Sequence, residues 1–223
     1  MKPDAWYLNL PQHYRSSEPY KIPAWLRELH EITFNTEIVE DWGPAMKLLP
    51  ALKRESDPNT VIITIDDDVV FPTEALRTFI DSAMAERSTA FCTMGFSFTP
   101  ETFNIQPVRE HGMECDVLQG FSGCCYRRGH FTETELLQTL SDLPSRFRYN
   151  DDIILSNHIA NHGIGRKTIR FPEGELSFMP WSDDDPNALK SLPPGTHARY
   201  QKLREHLQST GNWHLQTTCR VLR

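Results

Sequence analysis

Val61-Ile62-Ile63-Thr64-Ile65-Asp66-Asp67-Asp68-Val69 is the stretch that sets the reading of the whole chain. Four of the five residues before the acids are β-branched and apolar, and the fifth is Thr. Such a run reads as a strand buried on both faces, as in the interior of a parallel sheet. Three carboxylates follow at its C-terminal end, the edge at which open α/β sheets bind ligands. Like charges this close repel one another unless a cation lies among them. Residues two apart on an extended chain point the same way, so Asp66 and Asp68 can share one metal while Asp67 turns elsewhere. Hard carboxylates favour Mg²⁺ or Mn²⁺ together with phosphate oxygens. The expectation is a site for a metal and a diphosphate. The competing reading is a solvated acidic turn, which rarely follows so apolar a strand.

The 223 residues suffice for one α/β domain with a full core. A formal charge of -7 lacks the basic excess that general nucleic-acid binding requires. No stretch approaches eighteen apolar residues, so no membrane span is expected. Met1-Lys2-Pro3-Asp4-Ala5-Trp6 has no apolar core and does not read as a signal peptide. Five cysteines, Cys92, Cys115, Cys124, Cys125 and Cys219, are an odd number without CxxC spacing. They read as reduced residues of a cytoplasmic protein, with Cys124 and Cys125 as small core residues rather than nucleophiles.

Outward from the acidic strand, Ala5 to Leu10 and Ile32 to Val39 read as strands, and Ile22 to Leu29 as a helical turn entered through Pro23. Asp41-Trp42-Gly43-Pro44 is a turn before a helix carrying Ala45, Leu48, Leu49 and Leu52, which Pro50 kinks or restarts. Thr73 is the expected cap of a helix with Leu76, Phe79, Ile80, Ala83 and Met84 on its apolar stripe. Phe91 to Phe98 and Val117 to Phe121 each read as one strand. Thr132 and Glu135 have the spacing of a capping box. A helix opens at Asn150-Asp151-Asp152, carries Leu155, His158, Ile159 and His162 on one stripe, and ends at Gly163. Ile164 to Phe171 is a strand candidate, and Trp181 to Gly195 reads as a mobile loop. A last helix follows Thr196, with Tyr200, Leu203 and Leu207 on one face and a stop at Gly211.

Other segments can carry chemistry. Acids at a helix start cap it and complement its dipole, which accounts for one of Asp151 and Asp152. The other can face a ligand and act as a general base on a sugar hydroxyl. Lys47 can contact a diphosphate and Asp41 can anchor a base or ribose; a surface lysine is the simpler reading. Gly120-Phe121-Ser122-Gly123 lets backbone approach a ligand closely, or is a simple turn. His158 and His162 are four apart on a helix, as metal ligands can be, and His197 could supply a third. Without a His-Glu-x-x-His pattern, the pair reads as partly exposed helix residues.

Taken in order, four segments resemble a nucleotide-sugar glycosyltransferase of the GT-A type: residues 41–50, Ile63 to Asp68, Gly120 to Gly123, and Asn150 to Asp152. The likeness is to the family-2-like group that includes a chlorella-virus capsid glycosyltransferase domain. It implies a single Rossmann-like GT-A domain with a mainly parallel central sheet flanked by helices. It also implies a metal-dependent hexosyltransferase acting on a nucleotide-diphosphate sugar and a glycan or other hydroxyl acceptor. Asp66 and Asp68 match the family's Asp-x-Asp metal motif, with Mn²⁺ or Mg²⁺ as cofactor. Asp41, Lys47, Asp66, Asp67 and residues Gly120, Phe121, Ser122 and Gly123 would line the donor. The family's inverting enzymes carry a Glu-Asp pair, with Leu three, Ser four and Gly eleven residues after the Asp. Counting from Asp152 gives Leu155, Ser156 and Gly163, which assigns Asp152 as base and Asp151 to the Glu position. On this likeness Ala5 to Leu10 corresponds to the family's second strand. Its first strand, with the Thr-Ser-x-Pro-x-Arg-like segment that seats the base, is expected to be missing.

Two alternatives remain open. Asp66-Asp67-Asp68-Val69 also fits the Asp-x-Asp-x-Thr/Val signature of haloacid-dehalogenase-type phosphohydrolases, with Asp66 as covalent nucleophile. The basic run before Asn150 does not suit the apolar strand that precedes that family's last acids. The other alternative is a sugar-binding relic without turnover.

Overall fold

A computed structural model describes residues 1–11, 13–14, 18–19, 23–28, 32–38, 41–99, 104–172, 174–179 and 195–215. In chain order the strands are β1 (Trp6–Pro11), β2 (His13–Tyr14), β3 (Glu18–Pro19), β4 (Ile32–Ile38), β5 (Val61–Thr64), β6 (Val69–Val70) and β7 (Thr89–Cys92). They continue with β8 (Gly95–Phe98), β9 (Ile105–Val108), β10 (Val117–Leu118), β11 (Cys124–Arg127), β12 (Gly165–Thr168) and β13 (Ser177–Phe178). The helices are α1 (Ala24–Arg27), α2 (Leu49–Arg54), α3 (Ala75–Ala85), α4 (Glu133–Asp142), α5 (Asp151–Asn161) and α6 (Thr196–Ser209).

The central sheet has the order β12-β7-β11-β5. β12 runs parallel to β7, whereas β11 is antiparallel to both of its neighbours. The architecture is therefore mixed α/β, and the expectation of a mainly parallel sheet is corrected. The expected interior place for the acidic strand is also corrected, because β5 ends the ladder among the described residues. Apolar run length reports burial of the two faces, which an edge strand between helix layers also has.

Both faces of the sheet are indeed covered. Cys124 and Tyr126 of β11, Ala90 and Cys92 of β7 and Ile62 of β5 belong to the larger core, with Leu48, Leu52, Leu136, Ile153 and Leu203 from the helices. The alternate residues Cys125 and Phe91 turn the other way and meet Phe79 and Ala83 of α3, with Ile169 and Phe171. Val61 and Ile63 pack against that second cluster. This alternation is the two-residue period of a strand expressed as two separate cores. α3 thus covers one face, and α2, α4, α5 and α6 cover the other.

Several local expectations need adjustment. Phe91 to Phe98 divides into β7 and β8, which sits in a separate sheet of order β10-β8-β9. The break is held by Ser122: its carbonyl accepts the Thr93 hydroxyl at 2.6 Å and its Oγ accepts the Met94 N–H at 3.2 Å. Val117 to Phe121 is strand only at β10 and then tightens into a 3₁₀ turn over Gly120–Ser122. Glu74, not Thr73, is the N-cap of α3. Pro50 lies in the first turn of α2, preceded by a 3₁₀ segment over Gly43–Lys47, so the helix restarts there rather than running through. Residues 181–194, read as a mobile loop, and Cys219 lie outside the described residues.

Cys92, Cys115, Cys124 and Cys125 are buried thiols. Burial pushes Cys125 up to about 12 and raises Cys124 as well, which agrees with packing residues rather than nucleophiles. Among the described residues no helix is long and apolar enough to cross a membrane.

Candidate functional site

β5 and β7 point the same way because each is antiparallel to β11. Cys124, the first residue of β11, is paired with both Thr64 and Cys92, the last residues of those strands. The residues just after β5 and just before β11 therefore emerge at one edge. That register brings Asp66 and the Gly120–Gly123 segment together.

Two further connections complete the site. The Leu118 N–H donates to Ser156 Oγ at 3.0 Å, which fixes α5 against β10 and sets its N-terminus beside Gly120. The Asp41–Pro44 turn docks on the residues that lead into α5. Gly43 has φ +63 and accepts no side chain easily, since a Cβ there would lie 3.2 Å from both the Arg148 carbonyl and the Tyr149 ring. Its N–H donates to Asp41 Oδ1 at 2.8 Å, and the Arg148 guanidinium lies 4.8 Å from the centre of the Trp42 ring. This docking delivers Lys47 to the start of α5.

Lys47 Nζ lies 2.5 Å from Asp66 Oδ1 and 4.0 Å from Asp151 Oδ2. Asp152 Oδ1 accepts the Gly120 N–H at 2.8 Å, and Oδ2 accepts the Tyr200 hydroxyl at 3.1 Å. Gly120 closes the cluster from the side. A Cβ at that position would stand 3.1 Å from Asp152 Oδ1 and 3.2 Å from Lys47 Nζ. The backbone thus approaches two charged groups at a distance that only glycine allows comfortably.

The electrostatics follow from crowding acids into a half-closed space. Burial raises the Asp151 carboxyl, and the Asp152 and Asp66 charges add to this, taking it up to about 7 in spite of Lys47. Burial raises Asp152 too, while the Gly120 N–H, Lys47 and Tyr200 oppose the rise. Burial also raises Asp68, reinforced by the Asp66 charge. Desolvation works against the Lys47 ammonium, but Asp151 and Asp66 together hold it above the ordinary lysine range. Lys47 is therefore a resident cation among carboxylates.

Of the residues expected at the site, Lys47, Asp66, Gly120, Asp151 and Asp152 come together. Asp68 is half-buried next to them and Asp67 is exposed. Phe121 is half-buried and faces Phe178, with ring centres 6.0 Å apart. Ser122 is buried and serves the β7–β8 break, its Oγ donating to the Gln119 carbonyl at 2.9 Å. Asp41 shapes its own turn. Tyr200 is the site residue that sequence reasoning missed. It stands on the apolar stripe of α6, stacks on Phe96 with centres 5.6 Å apart, and only its hydroxyl reaches Asp152. No local signal separates it from a core tyrosine.

His158 is placed differently from expectation, whereas His162 is exposed as expected. His158 is buried and stacks on Phe131, with ring centres 5.6 Å apart. Burial, with the neighbouring His162, lowers it to about 4. Its Nε2 accepts the Thr132 N–H at 3.3 Å. The capping box is accordingly absent: the Thr132 amide goes to His158, and Glu135 goes to His162 at 2.9 Å. A pocket of about 390 Å³ lined by Glu86, Thr89, Gly165 and Lys167 opens at the opposite edge of the sheet, where β7 and β12 begin. It has no part in the acidic site.

No family model matches this chain, and no curated protein matches it.

Proposed function

We propose that the chain is a metal-dependent inverting glycosyltransferase of the GT-A type, moving a sugar from a nucleotide-diphosphate donor to a hydroxyl of a glycan or other acceptor. The observation that carries this reading is the convergence of Lys47, Asp151 and Asp152 on the backbone of Gly120 at one sheet edge, with Asp66 paired to Lys47. Four segments scattered over more than a hundred residues would have no reason to meet if each were a separate cap or turn.

The donor set suits a hard divalent cation. Asp66 and Asp68 are half-buried carboxylates from one turn, and the Asp66 charge already disfavours ionisation of Asp68. Mn²⁺ or Mg²⁺ held by these two residues would neutralise the charge that develops on the leaving diphosphate. Lys47 adds a fixed positive charge beside Asp66, suited to the same phosphates.

Asp152 is the base in this reading. It takes the proton of the acceptor hydroxyl while that oxygen bonds to the anomeric carbon and the bond to the diphosphate breaks, which inverts the centre. The Gly120 N–H and the Tyr200 hydroxyl hold one oxygen each and so fix the plane of its carboxylate. A second assignment has its own support: Asp151, at about 7, is better matched to proton transfer near neutral pH.

A thermal-shift panel of nucleoside diphosphates with and without Mn²⁺ tests the reading. Stabilisation that needs both diphosphate and metal, and that is lost in Asp68→Asn, is the expected result. Equal shifts in the wild type and Asp68→Asn remove the metal role.

A further inference from the structure

We propose that the junction of α4 and α5 is a second cation site, in which Glu135, His158 and His162 bind one Zn²⁺. This site is independent of the acidic cluster and does not rest on the sugar-transfer reading. Three potential ligand atoms, one from each residue, all lie within 4.8 Å of one another. Two imidazoles one helical turn apart and a carboxylate from a facing helix form a borderline nitrogen–oxygen donor set. Zn²⁺ binds well to that set, whereas Mg²⁺ favours oxygen ligands.

The site is already assembled. α4 and α5 are both anchored in the larger core, through Leu136 and Leu140 on one and Ile153 and Ile159 on the other. His158 is held by its stack on Phe131, and its ring centre lies 4.8 Å from that of His162. Its Nε2 is an acceptor, bonded to the Thr132 N–H at 3.3 Å, which is long for a hydrogen bond. A metal at this nitrogen would displace that long bond. His162 and Glu135 are in contact at 2.9 Å, and their side chains are 31% and 56% exposed. Solvent can thus reach the site from one side and supply the remaining coordination positions.

The test is zinc titration of the full chain by calorimetry, with Co²⁺ absorption as a reporter of ligand geometry. Wild type should bind one Zn²⁺ and give visible Co²⁺ bands typical of low-coordinate nitrogen–oxygen ligation. His162→Ala and Glu135→Gln, both at exposed positions, should fold normally and lose this binding. Asp66→Asn/Asp68→Asn, which removes the acidic motif, should retain it. Binding that survives His162→Ala, or that disappears with the acidic pair, places the ion elsewhere and overturns the proposal. An absence of Zn²⁺ binding to folded wild type does the same.

Discussion

Lys47 Nζ sits 2.5 Å from Asp66 Oδ1, joining the turn before α2 to the acidic end of β5. The same ammonium is 4.0 Å from Asp151, so one cation serves acids from two distant segments. Removing it leaves those carboxylates facing one another in a partly desolvated space. Lys47→Met should destabilise the protein by about 1–3 kcal/mol, less than the cost of breaking a fully buried ion pair, because Asp66 is 31% exposed and solvent screens it. Urea unfolding at pH 8 measures this. The deficit should shrink at pH 5, where Asp151 can take a proton.

Gly120→Ala tests the packing of the same cluster. The added Cβ would press on Asp152 Oδ1 at 3.1 Å and Lys47 Nζ at 3.2 Å. Relief requires moving charged groups whose partners are fixed. A loss of about 1–3 kcal/mol is expected, as for overpacking elsewhere. Thermal unfolding checks it, and an unchanged midpoint would mean that the cluster yields freely.

Much of this arrangement was legible in the residues. The apolar run before Asp66 announced burial on both faces, and Ile62 and Ile63 do fall in different cores. The helix from Asp151 to its stop at Gly163 was legible from capping residues and glycine. Strand order was not legible, because β11 enters between β5 and β7 through pairing sixty residues away in sequence. A run of Val and Ile reports what lies above and below a strand, not what lies beside it. Glu135 likewise had the spacing of a cap, and only the approach of α5 diverts it to His162. Tyr200 looked like a core residue and is one, apart from a single hydroxyl.

Asp151 gives the site a distinctive pH dependence. Its folded pKa of about 7 lies above the ordinary 3.8. The native state therefore holds a proton that the unfolded chain has released between those values. The associated stability is fully present below about pH 4 and is lost as pH rises through 7. Asp151→Asn should flatten the stability profile over that window. Denaturation midpoints measured from pH 4 to 8 decide the matter. A wild-type profile that rises over the same range, or a slope that persists in the variant, assigns the titration to another group.

Asp152→Asn separates the base from the donor site. Asn keeps its oxygen for the Gly120 N–H, and its amide N–H can donate to the Tyr200 hydroxyl turned to accept, while the charge and the proton affinity are lost, so the helix start should persist. A base acts on the acceptor and places no direct demand on donor binding. Donor affinity should therefore stay near wild type while transfer falls about 100- to 10,000-fold, the usual contribution of general base catalysis. The change should appear in kcat with little change in donor KM. Tyr200→Phe gives the companion measurement. It removes one hydrogen bond to Asp152 at a stability cost of about 1 kcal/mol and leaves the carboxylate in place. It should lower kcat less than Asp152→Asn and shift the acidic limb of the pH–rate profile upward, because one group opposing the rise in the Asp152 pKa has gone. Near-normal transfer by Asp152→Asn, together with loss of transfer in Asp151→Asn, would assign the base to Asp151. If both variants lose donor binding and stability together, the two acids are structural caps of α5.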